Sequence, residues 1–298
     1  MQRDMDKSPF LQGRENDRTN ARMEESMIPT AELVPNQLHM RGGGIDALHV
    51  HPNLFVKQTR KGWLQEMLGC EAKTEFNIAT IEDKHSHIMY ALEESTFLER
   101  FLCPMLRSWN MNVWEGQGPE GPGVAQYHRP FRMAPHPCKC CCFQEVQHMD
   151  HTGAPIGSTV EGQYCFVPRF TINDASGNPQ FTLSQPTCVG GRCVDSCAEG
   201  PTCVGGLCVD ICAEGFCNCR VPFYVYPLGA NHVAGFEVGK IVKIWYKKSW
   251  SGLATEMFTD ADKFELEFPA DESPETKARL LGSLFLLNQL FFEVKHQN

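Results

Sequence analysis

Fifteen cysteines stand in this chain of 298 residues, and twelve of them gather in two dense groups. The first is Cys138-Lys139-Cys140-Cys141-Cys142-Phe143, just after Arg129-Pro130-Phe131-Arg132. Adjacent cysteines on an extended chain point apart, and thiolate zinc sites space their ligands by about two to four residues. Cys138, Cys140, Cys141 and Cys142 therefore suit multiple S-acylation better than one tetrahedral ion. A single acyl chain binds a bilayer reversibly; a second makes the anchor stable, at about 0.8 kcal/mol per buried CH₂. Inert loop thiols are the plain alternative. The second group is a tandem repeat. The run 186–200, PTCVGGRCVDSCAEG, recurs as 201–215 with changes only at Arg192/Leu207 and Ser196/Ile211, and Cys217 and Cys219 follow. A pair of copies is too few for a solenoid, so 186–219 reads as a duplicated loop insertion, with thiolate metal binding as the alternative.

A third stretch carries carboxylates. In FTDADKFELEFPAD, residues 258–271, Asp260, Asp262 and Asp271 sit where the first, third and last ligands of a calcium loop would sit. Glu265 stands where that loop needs glycine, and Phe264, Leu266 and Phe268 alternate as in a strand, which cannot wrap an ion. The expectation is a weak Ca²⁺ site of about 10⁻⁴–10⁻³ M, or else a turn followed by an ordinary strand. The 11 histidines are scattered, and the chain has no phosphate loop, nucleophile elbow or dinucleotide fingerprint. No enzyme chemistry is expected.

The net charge of −9 comes from 27 basic and 36 acidic residues, without a long Lys/Arg run, which argues against nucleic acid as main partner. The start, MQRDMDK, lacks an apolar core for a secretory signal, and Gln2 excludes N-myristoylation. No stretch reaches the ~18 apolar residues of a membrane span. A cytosol-facing chain with reduced thiols is expected.

These groups need elements to hold them. Residues 1–45 read as a disordered polar tail ending at Gly42-Gly43-Gly44, and 46–298 as one domain. Short two-fold apolar patterns predict strands at 54–58, 76–81, 87–94, 112–114, 145–148, 169–172 and 180–183, and a short helix over 63–69. Asp150-His151-Thr152-Gly153 and Asp174 to Asn178 read as hairpin turns. Many short strands joined by turns predict a mostly β fold, a closed antiparallel barrel or a sandwich. Only the end is helical. Leu280 to Phe292 is apolar on nearly all faces, with Leu280, Leu284, Phe285, Leu287 and Phe291 central to it. Its ~20 Å falls short of the ~30 Å of a bilayer core, so a buried core helix is expected over a span.

Several segments, taken in order, resemble the phospholipid scramblase family. They are Leu54 to Gln58, Ala91 to Ser95, Arg129-Pro130-Phe131-Arg132 with its cysteines, and Pro168 to Ile172. Then come Val238 to Trp245, Trp250-Ser251-Gly252, Glu256 to Asp262, and the helix ending Phe291-Phe292-Glu293. The resemblance implies a tubby-like closed antiparallel barrel of about 12 strands around the buried C-terminal helix. It implies palmitate on Cys138–Cys142, Ca²⁺ at Asp260, Asp262 and Asp271, and a place at the cytoplasmic face of the plasma membrane. Its activity would be Ca²⁺-triggered, ATP-independent, bidirectional movement of membrane phospholipids between leaflets, with homo-oligomers compatible and protein partners unspecified. A palmitoyl-anchored binding or adaptor module without intrinsic scrambling is the alternative. This chain departs from the family at Asn288, where an acid is usual, at Lys263, where Asn is frequent, and in the cysteine repeat.

Overall fold

The computed structural model describes residues 43–59, 73–95, 107–133, 142–164, 167–185, 203–204, 207–208, 220–230, 236–244 and 262–292, within the unit His39–Asn298. The expected helix over 63–69 and the tail up to residue 42 lie outside them. The strands are β1 (Asn53–Thr59), β2 (Glu75–Ala79), β3 (His87–Glu94), β4 (Trp109–Glu115), β5 (Gly123–Arg129), β6 (Glu145–Asp150) and β7 (Pro155–Glu161). They continue as β8 (Arg169–Asp174), β9 (Pro179–Ser184), β10 (Cys203–Val204), β11 (Leu207–Cys208), β12 (Arg220–Pro227), β13 (Gly239–Ile244) and β14 (Lys263–Glu267). β10 and β11 pair only with each other; the other twelve close an antiparallel barrel, with β12 beside β9 and β14 beside β1.

Alternation explains the inner wall. Phe76 and Ile78, Phe170 and Ile172, and Phe264 and Leu266 are in phase on their strands and fully buried. The two expected hairpins form through aspartate turns. Asp150 Oδ1 accepts from Thr152 N (2.8 Å) and Ala154 N (2.9 Å), and Asp174 Oδ1 from Ser176 N and Asn178 N (both 2.9 Å). Four barrel strands escaped the sequence reading, as did the short β10 and β11. β5 is buried at almost every position and β7 opens on Pro155 and contains Gly157, so neither shows clean alternation. β12 follows the repeat directly and carries Pro222 within the run, and β13 interrupts its apolar residues with Lys240 and Lys243.

Helix α1 (Pro274–Leu287) runs through the barrel and continues as one π-turn, Asn288–Phe292. Ser273 caps it by accepting from Thr276 N at 3.3 Å, with Pro274 in the first turn. Every residue from Thr276 to Leu287 is buried. Phe285 meets Phe76 from β2 and Tyr127 from β5 at ring distances of 5.0 and 5.5 Å. Half-buried Phe291 meets Phe170 and Phe223 at 6.2 and 5.6 Å. At one end Lys277 Nζ donates to the carbonyls of His49 (2.8 Å) and His51 (2.9 Å); at the other, Gln289 accepts from Trp109 Nε1. Among the described residues no helix is long and apolar enough to cross a membrane.

One polar chain crosses this apolar interior. Ser283 Oγ donates to the Arg279 carbonyl (2.8 Å), so Thr159 Oγ1, 2.7 Å away, must donate to Ser283. Thr159 then accepts from His148 Nε2 at 2.9 Å, which fixes that tautomer and leaves the Nδ1 lone pair facing Gly282. A Cβ on Gly282 would lie 2.5 Å from Tyr127 Cδ1 and 2.6 Å from His148 Cε1. Gly282→Ala is expected to cost about 2–3 kcal/mol, read as a lowered denaturant midpoint.

Burial, aided by the Arg279 charge, pushes the His148 pKa down to about 3. Folded His148 is thus neutral where the unfolded side chain, at 6.5, takes up a proton. Its stabilising contribution is complete above pH 6.5 and is lost as pH falls towards 3, by about 1.4 kcal/mol per pH unit. Denaturant midpoints at pH 7.5 and 5 should fall further in wild type than in His148→Gln, whose amide can still donate to Thr159.

Candidate functional site

Connections in a closed antiparallel barrel alternate between its two ends. Here the alternation sorts them sharply. Short hairpins, 80–86, 116–122, 151–154, 175–178 and 228–238, lie at one end, where α1 also begins. Segments 60–74, 95–108, 130–144, 162–168, 185–219 and 245–262 leave and re-enter at the other. All fifteen cysteines fall in this second set, and none on a barrel strand or on α1. The connections that bear the cysteine groups and the Asp260–Asp262 end of the acidic stretch thus leave and re-enter at the same end of the barrel.

The segment bearing the first cysteine group is fastened on both sides. Arg129, fully buried at the end of β5, donates to the Arg107 carbonyl (2.8 Å) and to Gln144 Oε1 (2.5 Å). Gln144 N donates to Glu161 Oε2 (2.9 Å), and its amide reaches the carbonyls of Met133 (3.1 Å) and Cys142 (3.3 Å). Arg132 donates to the Phe143 carbonyl at 3.0 Å and pairs with Glu145. Below them Arg107 grips Glu93 through two bonds of 2.8 and 2.9 Å, both side chains buried. Burial raises the Glu93 pKa, but the Arg107 charge and its hydrogen bonds outweigh it and hold the carboxyl below its ordinary range. The base of the cysteine segment is therefore fixed to β3, β5, β6 and β7. Cys142 is exposed and free, with φ of 55°. Cys138, Cys140 and Cys141 lie outside the described residues, as does most of the repeat.

The acidic stretch is not drawn into one cage. Asp262 and Asp271 stand at opposite ends of β14, about 17 Å of strand apart by the ~3.3 Å rise. Asp260 lies outside the described residues. Asp262 is buried; its carbonyl accepts from Gln58 N at 2.7 Å and its carboxylate from Lys243 Nζ. Lys243 is buried too, 4.8 Å from the Phe264 ring centroid and 5.4 Å from that of Phe292. Glu265 pairs with Lys84 (2.8 Å) and Glu267 with Lys240 (3.1 Å). Asp271 is exposed in the turn before α1. Ca²⁺ wants six to eight oxygens at about 2.4 Å, and the carboxylates described here do not converge on such a point. Among the described residues no group of three or more His, Cys, Asp or Glu could hold a metal ion.

The sequence reading missed the buried charges Glu93, Arg129 and Lys243 and the buried His148. Their signal was phase. Glu93 continues the inward set Met89 and Ala91, Lys243 continues Ile241, and Asp262 precedes Phe264 and Leu266. A charge in step with the core face is either an error of register or a buried pair, and here it is the pair.

The fold and this end define a class: a closed antiparallel barrel filled by its own C-terminal helix, with its cysteine-bearing connections leaving from one end. The chain belongs to the scramblase family, whose profile matches residues 34–198 and 214–294. The unmatched 199–213 lies within the tandem repeat and is as long as one of its copies. It is 28% identical to bovine phospholipid scramblase 2 over 250 residues, 84% of this chain and 69% of that one. It is 27% identical to human phospholipid scramblase 1 over 250 residues, 84% of this chain and 64% of that one. It is 28% identical to human phospholipid scramblase family member 5 over 274 residues, 91% of this chain and 82% of that one. No solved structure matches.

Proposed function

We propose that this chain moves phospholipids between the leaflets of a membrane in both directions, without ATP and without making or breaking a bond, from the cytoplasmic face of the plasma membrane. The observation that supports this reading most is the family match over nearly the whole barrel and helix. The fold constrains how it would work. A headgroup crossing hydrocarbon needs polar partners, because unsatisfied polar groups there cost several kcal/mol each. The barrel lumen is filled by α1 and offers no such path. The path must lie outside, between copies of the protein or where an anchored barrel disturbs the lipid packing.

The enclosed helix also favours a second reading, a palmitoyl-anchored adaptor that scrambles nothing. Purified full-length protein in vesicles with a fluorescent lipid separates the two. Under dithionite, scrambling bleaches the inner-leaflet probe as well as the outer, whereas the adaptor leaves the inner half protected. Ca²⁺ enters the proposal as the trigger, through Asp260 with Asp262. Because Asp262 and Asp271 stand apart, one ion takes at most one of them. Lys243, already on Asp262, and Lys263 beside it both oppose an incoming cation. Calorimetry is expected to show weak binding, about 10⁻⁴–10⁻³ M, weakened by Asp262→Ala and unchanged by Asp271→Ala. Equal loss in both variants would contradict this placement.

Palmitate on Cys138, Cys140, Cys141 and Cys142 completes the proposal as the anchor. The quadruple Ser variant should move from the membrane to the soluble fraction of cells, and hydroxylamine, which cleaves thioesters, should do the same to wild type. A variant that stays on membranes as wild type does would remove these cysteines from the reading.

A further inference from the structure

Four neighbouring strands, β12, β13, β14 and β1, meet at the hairpin end of the barrel, and their ends are sewn together. Val238 N donates to the Val225 carbonyl at 2.9 Å, across the mouth of the β12–β13 hairpin. Phe268 N donates to the Pro52 carbonyl at 3.2 Å, joining the chain after β14 to the chain before β1. Between these bonds Gly239 lies so close to Pro269 that a Cβ there would stand 3.1 Å from the proline nitrogen. Along this seam Val50, Leu228, Phe236 and Val238 are exposed, Leu228 and Phe236 at 59% each. Each lies within three residues of one of the two bonds, so none is more than ~11 Å of chain from the seam.

The fold holds these side chains out. Leu228 occupies the first corner of a turn closed by Ala230 N on the Pro227 carbonyl at 3.1 Å, with Gly229 at the second corner and a φ of 79°. Lys277 Nζ reaches from α1 to the carbonyls of Leu48 (3.3 Å), His49 (2.8 Å) and His51 (2.9 Å), which pins the chain on both sides of Val50. Single exposed apolar side chains are ordinary on a protein surface; four gathered and held at one seam mark an interface. Part of the ordering cost of association is already met by the fold. The surface is drawn from described residues alone; the hairpin tip, 231–235, lies outside them.

Charge selects what can cover the seam. The hairpins and the turn before α1 carry Glu82, Asp83, Glu120, Glu237, Asp271 and Glu272 against Lys84 alone. Glu237, Asp271 and Glu272 belong to the seam itself, as does Glu267, which Lys240 meets at 3.1 Å. Such a rim repels an anionic leaflet and nucleic acid alike, and a two-fold contact between copies of this chain would set the rim against itself. We infer that the seam docks a basic amphipathic segment of a partner protein. Its apolar side chains cover Val50, Leu228, Phe236 and Val238, and its Lys or Arg residues face Glu237, Asp271 and Glu272. The inference stands apart from lipid movement. The seam is at the opposite end of the barrel from the cysteine-bearing connections, so docking there leaves the proposed anchor free.

The test titrates the full chain, without acyl groups, against a labelled peptide of leucine and lysine whose leucines line one face of a helix. Fluorescence anisotropy reads the binding. Saturable binding to wild type is expected, and Leu228→Ser with Phe236→Ser should weaken it about tenfold. Phe131→Ser with Met133→Ser, at the other end of the barrel, should bind as wild type does. Asp271→Asn with Glu272→Gln should weaken binding about threefold at low salt, and the gap should close as salt rises. Asn tolerates the φ of 55° at position 271. The matching peptide of leucine and glutamate should not bind. Amide hydrogen exchange of wild type needs no variant: with the lysine peptide bound, exchange should slow at 226–230, 236–240 and 268–272. No saturable binding, equal binding of the glutamate peptide, protection only elsewhere, or binding unmoved by the Leu228 and Phe236 changes overturns the inference. Sedimentation of wild type alone should show the same species as the Leu228 and Phe236 variant. A dimer that this variant dissociates gives the seam to a second copy and overturns the partner.

Discussion

A helix that is apolar all round can exist in water only if something encloses it, and most of this structure follows from that requirement. From Thr276 to Leu287 no face of α1 is left for solvent. A single sheet would cover one side; twelve strands closed on themselves cover every side and leave no unpaired edge. The enclosure is tight enough that Gly282 cannot carry a Cβ, because Tyr127 and His148 occupy that space. Fully burying each large apolar side chain contributes roughly 1.5–3 kcal/mol, and the helix brings a full row of them to the axis. The same enclosure decides how the protein can act on lipids. With its lumen filled, the barrel is a body that works from its surface.

Closure has a second consequence, which is geometric. Because every barrel strand is antiparallel to both neighbours, each connection is assigned to one end by its place in the chain. The sequence used this to keep two chemistries apart. Tight aspartate-capped hairpins and an acidic rim occupy one end, and the long cysteine-bearing connections occupy the other. The repeat falls in the connection between β9 and β12, and those two strands pair with each other despite its length. Long insertions in such positions are cheap, since loop-closure entropy grows only slowly with length.

Charges inside the wall mark the rim of the cysteine end. Arg107 with Glu93, Arg129 with Gln144, and Lys243 with Asp262 are buried where the apolar layers of the barrel give out. A buried pair of this kind adds little net stability over an apolar replacement, because desolvation offsets attraction. What it does is fix geometry. Removing one member strands the other, so the described residues that flank the first cysteine group, 129–133 and 142–145, are held in one arrangement. Such a pair also answers for Asp262, whose carboxylate is met by an ammonium from the neighbouring strand.

By itself the sequence determined the class of the fold and its two ends. Two-fold alternation gave most of the strands, aspartate and glycine gave both hairpins, and an all-round apolar segment too short to span a bilayer gave the buried helix, because each of these is written in neighbouring residues. Strands β5 and β7 were illegible since burial on both faces, or a Pro and a Gly within the run, erases the alternation. The carboxylate spacing of 260–271 looked like one site for a similar reason: spacing along the chain says nothing of distance once a strand lies between the residues. Only the tertiary structure set Asp262 and Asp271 at opposite ends of β14 and gave Asp262 to Lys243, nineteen positions earlier in the chain. It alone set the ends of every cysteine-bearing connection, from the one with Cys70 to the one with Cys219, at one end of the barrel. Partners from distant strands are chosen by barrel register, which depends on all twelve strands at once and is carried by no local stretch of sequence.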